Sequence, residues 1–129
     1  MTRPGRPSLV LIVDDNETCA VTLQIALESV PGIDLQIASS GAAALRVIST
    51  CQHRIGAVIT DLQLPGISGL DLLKHLRSQP KFASTPVLII SGDSDPRLPR
   101  LAVASGANGF FTKPYSPSEV RKRVEQLLV

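Results

Sequence analysis

The sequence lacks any long apolar run, and this absence excludes a membrane-spanning helix from the prediction. Each of its hydrophobic segments is far shorter than the ~20 residues that a helix needs to cross a bilayer. Residues 1–8 are polar and lack the hydrophobic centre of a secretory signal peptide. We therefore expect a cytoplasmic location and no contact with a membrane.

Cysteine, histidine and excess charge are also scarce. Cys19 and Cys51 show no CxxC or other metal-ligand spacing, so reduced structural thiols are expected. His53 and His75 are isolated, and a metal role is expected for neither. The 13 basic and 11 acidic residues give a net charge of +2, too small to indicate direct nucleic acid binding. We expect the basic cluster at residues 121–123 to be a solvated helix face.

No repeat, linker or low-complexity segment interrupts the 129 residues. With 43% apolar and 19% charged residues, the composition is that of a folded globular chain. We expect a short polar N-terminal extension at residues 1–8, a single domain at residues 9–129, and no output domain in this chain.

The period of the apolar pattern alternates between strand-like and helix-like segments along the chain. Predicted strands cover Leu9 to Val13, Leu35 to Ala38, Ile55 to Thr60, Val87 to Ile90 and Gly109 to Thr112. Predicted helices cover Glu17 to Ser29, Gly41 to Ser49, Gly69 to Ser78, Leu98 to Ser105 and Pro117 to Leu128. Five such strand–helix units predict an α/β fold with a doubly wound parallel sheet.

The predicted fourth helix contains an unusual proline pair. Pro96 at a first helical position would be harmless, but Pro99 would then remove an intrahelical donor. We expect this helix to begin late and to be short and weakly held.

Polar side chains follow four of the predicted strands directly. Asp14 and Asp15 follow the first, Asp61 the third, Ser91 the fourth and Lys113 the fifth. Ligands of open parallel sheets bind outside the carboxyl ends of the strands. The pattern therefore gathers three carboxylates, a hydroxyl and an ammonium at one place.

This set of groups suits phosphoryl transfer. Carboxylates are ligands for Mg²⁺, and three unpaired carboxylates in a crevice repel one another unless a cation or proton is present. Asp61 can act as a nucleophile, while Lys113 and Ser91 can hold phosphoryl oxygens. Asp14 or Asp15 could instead cap the first helix, although Asn16 could supply that cap.

With these residues in view, the sequence resembles a response-regulator receiver domain of two-component signalling. The matching segments are Val13-Asp14-Asp15-Asn16, Thr60-Asp61-Leu62-Gln63-Leu64-Pro65-Gly66, Ser91-Gly92 and Gly106-Ala107-Asn108-Gly109-Phe110-Phe111-Thr112-Lys113-Pro114. The resemblance covers nearly the whole chain. It implies a flavodoxin-like (βα)5 fold with five parallel strands in the order 2-1-3-4-5.

The resemblance assigns a phosphoacceptor and a metal site. Asp61 would accept the phosphoryl group, and the domain would not be an enzyme, although it would assist its own phosphorylation and dephosphorylation. Asp15 and Asp61 would bind Mg²⁺ directly, the backbone carbonyl of Gln63 would be a further ligand, and Asp14 would act through water. Lys113 would pair with the phosphoryl group.

It also assigns a switch. Ser91 would donate a hydrogen bond to the phosphoryl group, and Phe110 would turn inward as Ser91 moves. Gln63 and Asp93 occupy positions that tune the lifetime of the acyl phosphate. Gly92 would leave the phosphoryl group open to attack. The Lys113–Pro114 bond is expected to be cis.

The implied partners are a histidine kinase or phosphotransfer protein and a downstream protein target that the sequence does not identify. Val21, Thr22 and Ile25 on the first helix are predicted to contribute to docking of the phosphodonor, although scattered exposed apolar residues are also common. The fourth helix, fifth strand and fifth helix would form the output surface, through which a homodimer could also form.

Two other functions compete with the switch. A constitutive interaction module would keep the fold without using phosphorylation, but such modules usually lack one of the key positions, and all are present here. An aspartyl-phosphate phosphatase would normally have a second acid two residues after the nucleophile, where this chain has Gln63.

Overall fold

A five-stranded parallel sheet lies at the centre of the computed structural model, which describes residues 7–52 and 54–128. The strands are β1 (Ser8–Val13), β2 (Ile33–Ala38), β3 (Ile55–Asp61), β4 (Val87–Ser91) and β5 (Gly109–Thr112). Their order is β2-β1-β3-β4-β5, and all neighbouring pairs are parallel. The predicted doubly wound fold and strand order are confirmed.

Five helices connect and follow the strands. They are α1 (Glu17–Leu27), α2 (Gly41–Thr50), α3 (Gly69–Arg77), α4 (Arg97–Ala104) and α5 (Pro117–Leu127), with a short 3-10 turn at Pro80–Phe82. Their ends differ from the predicted ones by at most two residues. The first strand begins at Ser8, inside the predicted extension. Residues 1–6, His53 and Val129 lie outside the described residues.

Side chains alternate between two apolar cores, one on each face of the sheet. In β1, Leu11 and Val13 join one core, and Val10 and Ile12 join the other. The first core is completed by residues of α2, α3 and α4, and the second by residues of α1 and α5. Helices therefore cover both faces, and the carboxyl ends of the parallel strands lie along one edge of the sheet.

Helix α4 is short, as predicted, but its second proline does not break it. Pro96 is the N-cap residue, and Pro99 is the third residue of the helix. The first N–H groups of any helix have no intrahelical acceptor, so Pro99 removes no helical hydrogen bond. Ala102 is the one residue of α4 that is buried.

The basic cluster of α5 is only partly a solvated face. Lys122 is exposed, and Arg121 lies 3.4 Å from Glu125 one turn later. Arg123 is half-buried, and its guanidinium donates to the carbonyl oxygen of Asn108 from Nη2 at 2.7 Å and from Nε at 3.2 Å. The prediction was therefore wrong for Arg123, whose long side chain reaches the start of β5. Cys19 and Cys51, both within the described residues, form no disulfide.

Candidate functional site

The carboxyl ends of β1 and β3 bring three carboxylates together. One oxygen from each of Asp14, Asp15 and Asp61 lies within 4.8 Å of the others. Asp14 and Asp61 are buried, whereas Asp15 is exposed. Hard divalent cations bind carboxylate oxygens at this kind of spacing, and Mg²⁺ typically uses one or two of them with water in its other positions. The donor set therefore fits Mg²⁺.

The local hydrogen bonds of Asp14 keep this carboxylate in place without making it a helix cap. Asn16 caps α1, because its side-chain oxygen accepts from the Cys19 N–H at 2.9 Å. Asp14 Oδ1 in turn accepts from the Asn16 N–H at 2.9 Å. Of the two interpretations that the sequence left open, capping is thus the role of Asn16, and Asp14 and Asp15 are available to the cluster.

Asp14 is electrostatically unfavourable in its ionised form. Burial raises the pKa of its carboxyl, and the neighbouring charges of Asp61 and Asp15 act in the same direction. The Asn16 N–H and the ammonium of Lys113 oppose this rise, but the net pKa remains above its ordinary value. A carboxylate that resists ionisation beside two others is the situation that a divalent cation relieves.

Lys113 spans the site from β5 to β3. Its Nζ donates to Asp61 Oδ2 at 2.7 Å, and the ion pair is mostly shielded from solvent on the Asp61 side. Burial alone would lower the pKa of Lys113, but the hydrogen bond and charge of Asp61, together with Asp14, raise it. Lys113 is therefore firmly cationic. The Lys113–Pro114 bond is cis, as expected.

Asp61 Oδ1 and the Asp61 backbone also make close contacts with neighbouring residues. The Gln63 N–H donates to Asp61 Oδ1 at 3.2 Å, while the Gln63 side chain is exposed. Gly69, the first residue of α3, packs so closely that a Cβ there would overlap the Asp61 carbonyl oxygen. The sequence prediction missed Gly69, and its only signal was a glycine opening a helix. It allows α3 to start against the phosphoacceptor candidate.

Ser91 lies at the end of β4 and is fully buried. Its Oγ accepts from the Asp93 N–H at 3.0 Å, and its carbonyl oxygen accepts from the Lys113 N–H at 2.8 Å. The Asp93 carboxylate accepts from the Asp95 N–H at 2.9 Å. A Cβ on Gly92 would come within ordinary contact distance, 3.9 Å, of the Lys113 side chain. The loop after β4 thus lies beside the Lys113 side chain.

Phe110 and Phe111 are half-buried on opposite faces of β5, as strand geometry predicts. Phe110 packs against the core beneath α2, α3 and α4, and Phe111 against the core beneath α1 and α5. Phe110 is therefore on the same side of the sheet as α4.

Helix α1, which follows Asp14 and Asp15 in the sequence, presents apolar side chains to solvent. Leu23 and Leu27 are buried, whereas Val21 is 38% and Ile25 62% exposed. Thr22 is also exposed, and its hydroxyl donates to the Thr18 carbonyl oxygen at 2.8 Å. The predicted docking residues therefore form one accessible strip on α1.

Comparisons with known proteins agree with this geometry. A family model described as "Response regulator receiver domain" matches residues 10–125. The alkaline phosphatase synthesis transcriptional regulatory protein PhoP of Bacillus subtilis is 34% identical over 92% of this chain and 48% of its own length. The chemotaxis protein CheY-3 of Vibrio cholerae is 28% identical over 92% of this chain and 89% of its own length.

Solved structures show the same fold. The crystal structure of a response regulator receiver protein from Pseudomonas putida superimposes with a TM-score of 0.83 at 32% identity, covering 93% of this chain and 97% of that one. The chain spans about half the length of several curated relatives that it matches, including PhoP. In the part of the chain that the structure describes, no helix is long and apolar enough to cross a membrane.

Proposed function

The chain belongs to the response regulator receiver domain family of two-component signalling, and from this premise we propose that it is a phosphorylation-dependent switch with Asp61 as phosphoacceptor. Domains of this family are regulatory and work with histidine kinases and downstream effectors. The observation that carries the proposal is the ion pair between Lys113 Nζ and Asp61 Oδ2, 2.7 Å long, beside a cluster of three carboxylates.

In the proposed reaction, a carboxylate oxygen of Asp61 attacks the phosphorus of a phosphohistidine. The P–O bond to Asp61 forms as the P–N bond breaks, and the departing imidazole takes up a proton. Asp61 needs no general base because a carboxylate is a ready nucleophile. Both of its oxygens are engaged in this structure, so the Lys113 ammonium has to turn from Asp61 to a phosphoryl oxygen during transfer.

The three acidic residues have distinct proposed roles in holding Mg²⁺. Asp15 and Asp61 would bind it directly together with the Gln63 carbonyl oxygen, and Asp14 would act through water. When bound, the cation would offset the cluster's negative charge and that of the phosphoryl group.

The switch would begin at Ser91. Its hydroxyl accepts from the Asp93 N–H in this structure, and reorientation toward a phosphoryl oxygen would break that bond and shift the loop after β4. Phe110, half-buried on the α4 side of the sheet, would then turn inward. The surface formed by α4, β5 and α5 would carry the change to a downstream protein or to a second copy of the chain.

The phosphodonor is proposed to be a histidine kinase or phosphotransfer protein that docks on Val21, Thr22 and Ile25 beside the site. A cytoplasmic location belongs to the proposal because this phosphodonor acts there. Gln63 and Asp93 are proposed to tune the lifetime of the acyl phosphate, since the Gln63 N–H contacts Asp61 and the Asp93 N–H contacts Ser91.

Acetyl phosphate with Mg²⁺ tests the proposal directly. We expect one phosphoryl group to be added to the wild type, detected by intact mass, and none to Asp61→Asn. Asp34→Asn, which removes an exposed carboxylate from β2, is the matched control and should react normally. An unreactive wild type would overturn the switch in favour of a constitutive interaction module. An adduct on Asp61→Asn would overturn the assignment of the acceptor.

A further inference from the structure

The connection between α4 and β5 is held by an arginine from another helix. Arg77, the last residue of α3, donates to the Gly106 carbonyl oxygen from Nη2 at 2.8 Å and from Nε at 3.1 Å. Its Nη2 also donates to Asn108 Oδ1 at 3.1 Å, and its Nη1 to the Phe82 carbonyl oxygen at 3.1 Å. One side chain therefore joins α3, the 3-10 turn and the α4–β5 connection.

Asn108 is the centre of this arrangement. Its Oδ1 also accepts from the Val87 N–H at 2.9 Å, and its own N–H donates to the Val87 carbonyl oxygen at 2.7 Å. Its carbonyl oxygen accepts from Arg123 of α5. Asn108 is thus tied to β4, α3 and α5 immediately before β5 begins. We name Arg77, Asn108 and Arg123 the β5 clamp.

The clamp does not depend on an ion pair at Arg77. Among residues 7–52 and 54–128, no carboxylate lies within salt-bridge distance of its guanidinium, which is bonded to neutral oxygens. Gly106 allows the close approach, since it has a φ of +105° and a Cβ there would lie 2.8 Å from Arg77 Nε. A planar guanidinium with several fixed donors suits such a multiple contact.

The opposite end of α4 is attached differently. The loop between β4 and α4 is largely exposed, and its side chains accept hydrogen bonds from residues two positions further along the chain. Asp93 N–H donates to Ser91 Oγ, Asp95 N–H to Asp93 Oδ1, and Arg97 N–H to Asp95 Oδ1. Pro96, the N-cap residue, provides no side-chain cap. The end of α4 next to the proposed phosphoryl site is therefore the loosely attached one.

We propose that Arg77 and Asn108 are positioning residues that fix the C-terminal end of α4 and the start of β5, so that α4 responds by pivoting about this end. The pivot rests on the proposed switch at Asp61, whereas the clamp itself does not. A short helix fixed at one end transmits a local change at Ser91 as a displacement of its free end. The clamp also keeps β5, and with it Lys113, in register while α4 moves.

Amide hydrogen exchange by NMR tests the clamp in the free protein. Asn108→Ala should raise exchange of the Ala107 and Asn108 amides at least about 10-fold, while Asn108→Asp, which keeps the accepting oxygen, should leave them near wild type. Arg77→Ala should reproduce the effect of Asn108→Ala. Lys74→Ala on the exposed part of α3 is the control and should change nothing. Equal exchange in Asn108→Ala and wild type would overturn the clamp.

Beryllofluoride with Mg²⁺, an analogue of the phosphoryl group, tests the pivot. In the wild type, amide signals of the non-proline residues among 93–101 should shift while those of residues 105–109 stay near their free positions. In Asn108→Ala the shifts should spread into residues 105–109, and Asn108→Asp should restore the wild-type pattern, although Mg²⁺ binding should be unchanged in both. A purely structural role would lower stability without redistributing the shifts. Equal shifts at both ends in the wild type would overturn the pivot, and a wild type without any shift would overturn the proposed function instead.

Discussion

The site has two halves: the carboxylates at the ends of β1 and β3, and the ammonium that follows β5. The strands that carry these two halves differ greatly in burial. All seven residues of β3 are buried, and five of the six in β1 are, so Asp14 and Asp61 extend from the centre of the core. All four residues of β5 are half-buried or exposed, and α4 buries only Ala102. Lys113, at the end of β5, nevertheless contacts Asp61 directly. Asp14 and Asp61 are therefore held by buried strands, whereas the ammonium that pairs with Asp61 is held by a partly exposed strand at the edge of the sheet.

This difference suits a switch because metal binding and motion have opposite requirements. A metal site needs oxygen ligands at fixed spacing, which buried strands provide. A signal needs an element whose opening free energy is low enough for a local event to shift it. With the acids at the ends of β1 and β3, and the ammonium and aromatic ring at β5, the proposed switch would separate the two tasks within one site.

The largest expected effect comes from truncating apolar side chains on the strands of the two halves. Ile59→Ala on β3 should lower the free energy of unfolding by about 2–5 kcal/mol, because it leaves a cavity in a fully packed region. Phe111→Ala on β5 removes a larger side chain but should lower it by less than about 2 kcal/mol, since Phe111 is half-buried. Urea denaturation followed by circular dichroism measures both. A greater loss from Phe111→Ala would contradict the proposed difference between the halves.

The second prediction distinguishes the proposed docking surface for the phosphodonor on α1 from the proposed output surface that includes α4. Ile25→Asp on α1 and Leu101→Asp on α4 both place a charge on an exposed apolar position. With a histidine kinase that phosphorylates the wild type, Ile25→Asp should slow transfer about 10-fold, equivalent to ~1.4 kcal/mol, through loss of docking. Leu101→Asp should leave that rate unchanged. Transfer from acetyl phosphate, which needs no docking, should be normal for both. An unaffected kinase rate in Ile25→Asp would remove α1 from the docking surface.

The third prediction uses the raised pKa of Asp14. Because burial holds the folded-state pKa above its ordinary value of 3.8, the native state binds this proton more tightly than the unfolded state. Ionised Asp14 therefore destabilises the fold at neutral pH, and this destabilisation is lost as the pH falls through the folded-state pKa. Asp14→Asn, which keeps the oxygen that accepts from Asn16, should raise Tm by a few degrees at pH 7.

Two controls accompany this prediction. The Tm difference between Asp14→Asn and wild type should shrink as the pH falls through the folded-state pKa of Asp14 and should be lost below 3.8, where Asp14 is neutral in both states. Added Mg²⁺ should stabilise the wild type more than the variant, because ligand binding to the folded state adds stability by mass action. A lower Tm for Asp14→Asn at pH 7 without metal would show that Asp14 is not under electrostatic strain.

The buried strands could be predicted from the sequence better than the side-chain contacts that hold α4 and β5. Buried strands such as Ile55–Asp61 are continuous apolar runs that end in a single polar residue, so both the element and its site residue can be predicted from local pattern. The clamp could not be predicted in this way. Arg77 and Asn108 are 31 positions apart, and a polar residue in a loop has no periodicity to reveal its partner.

Gly69 and Arg123 illustrate the same limit. Gly69 owes its role to a close backbone approach that only the folded chain creates. Arg123 was predicted to be solvated because it belongs to a basic run, yet it binds Asn108 across the fold. Long side chains can place their charged ends far from the face that the helical period assigns to them. Tertiary contacts of this kind could not be predicted from the sequence pattern.

The smallest expected effect concerns Pro99 and tests why α4 is loosely held. Pro99 is the third residue of α4, where the absent N–H has no helical acceptor to lose, so Pro99→Ala should change the free energy of unfolding by less than about 0.5 kcal/mol. Leu101→Pro is the contrast, since its N–H faces the Arg97 carbonyl one turn earlier and its loss costs about 3 kcal/mol in a helix interior.

If α4 opens separately from the core, Leu101→Pro should increase exchange of the α4 amides yet lower global stability by less than that local cost. Stabilisation of more than about 1 kcal/mol by Pro99→Ala would mean that the proline strains the helix. The weak attachment of α4 would then originate in its own sequence. A change of less than about 0.5 kcal/mol would instead trace the weak attachment to a contrast between the two ends of α4: the N-terminal end is bonded to Asp95 in its own loop, whereas the C-terminal end is bound through the β5 clamp.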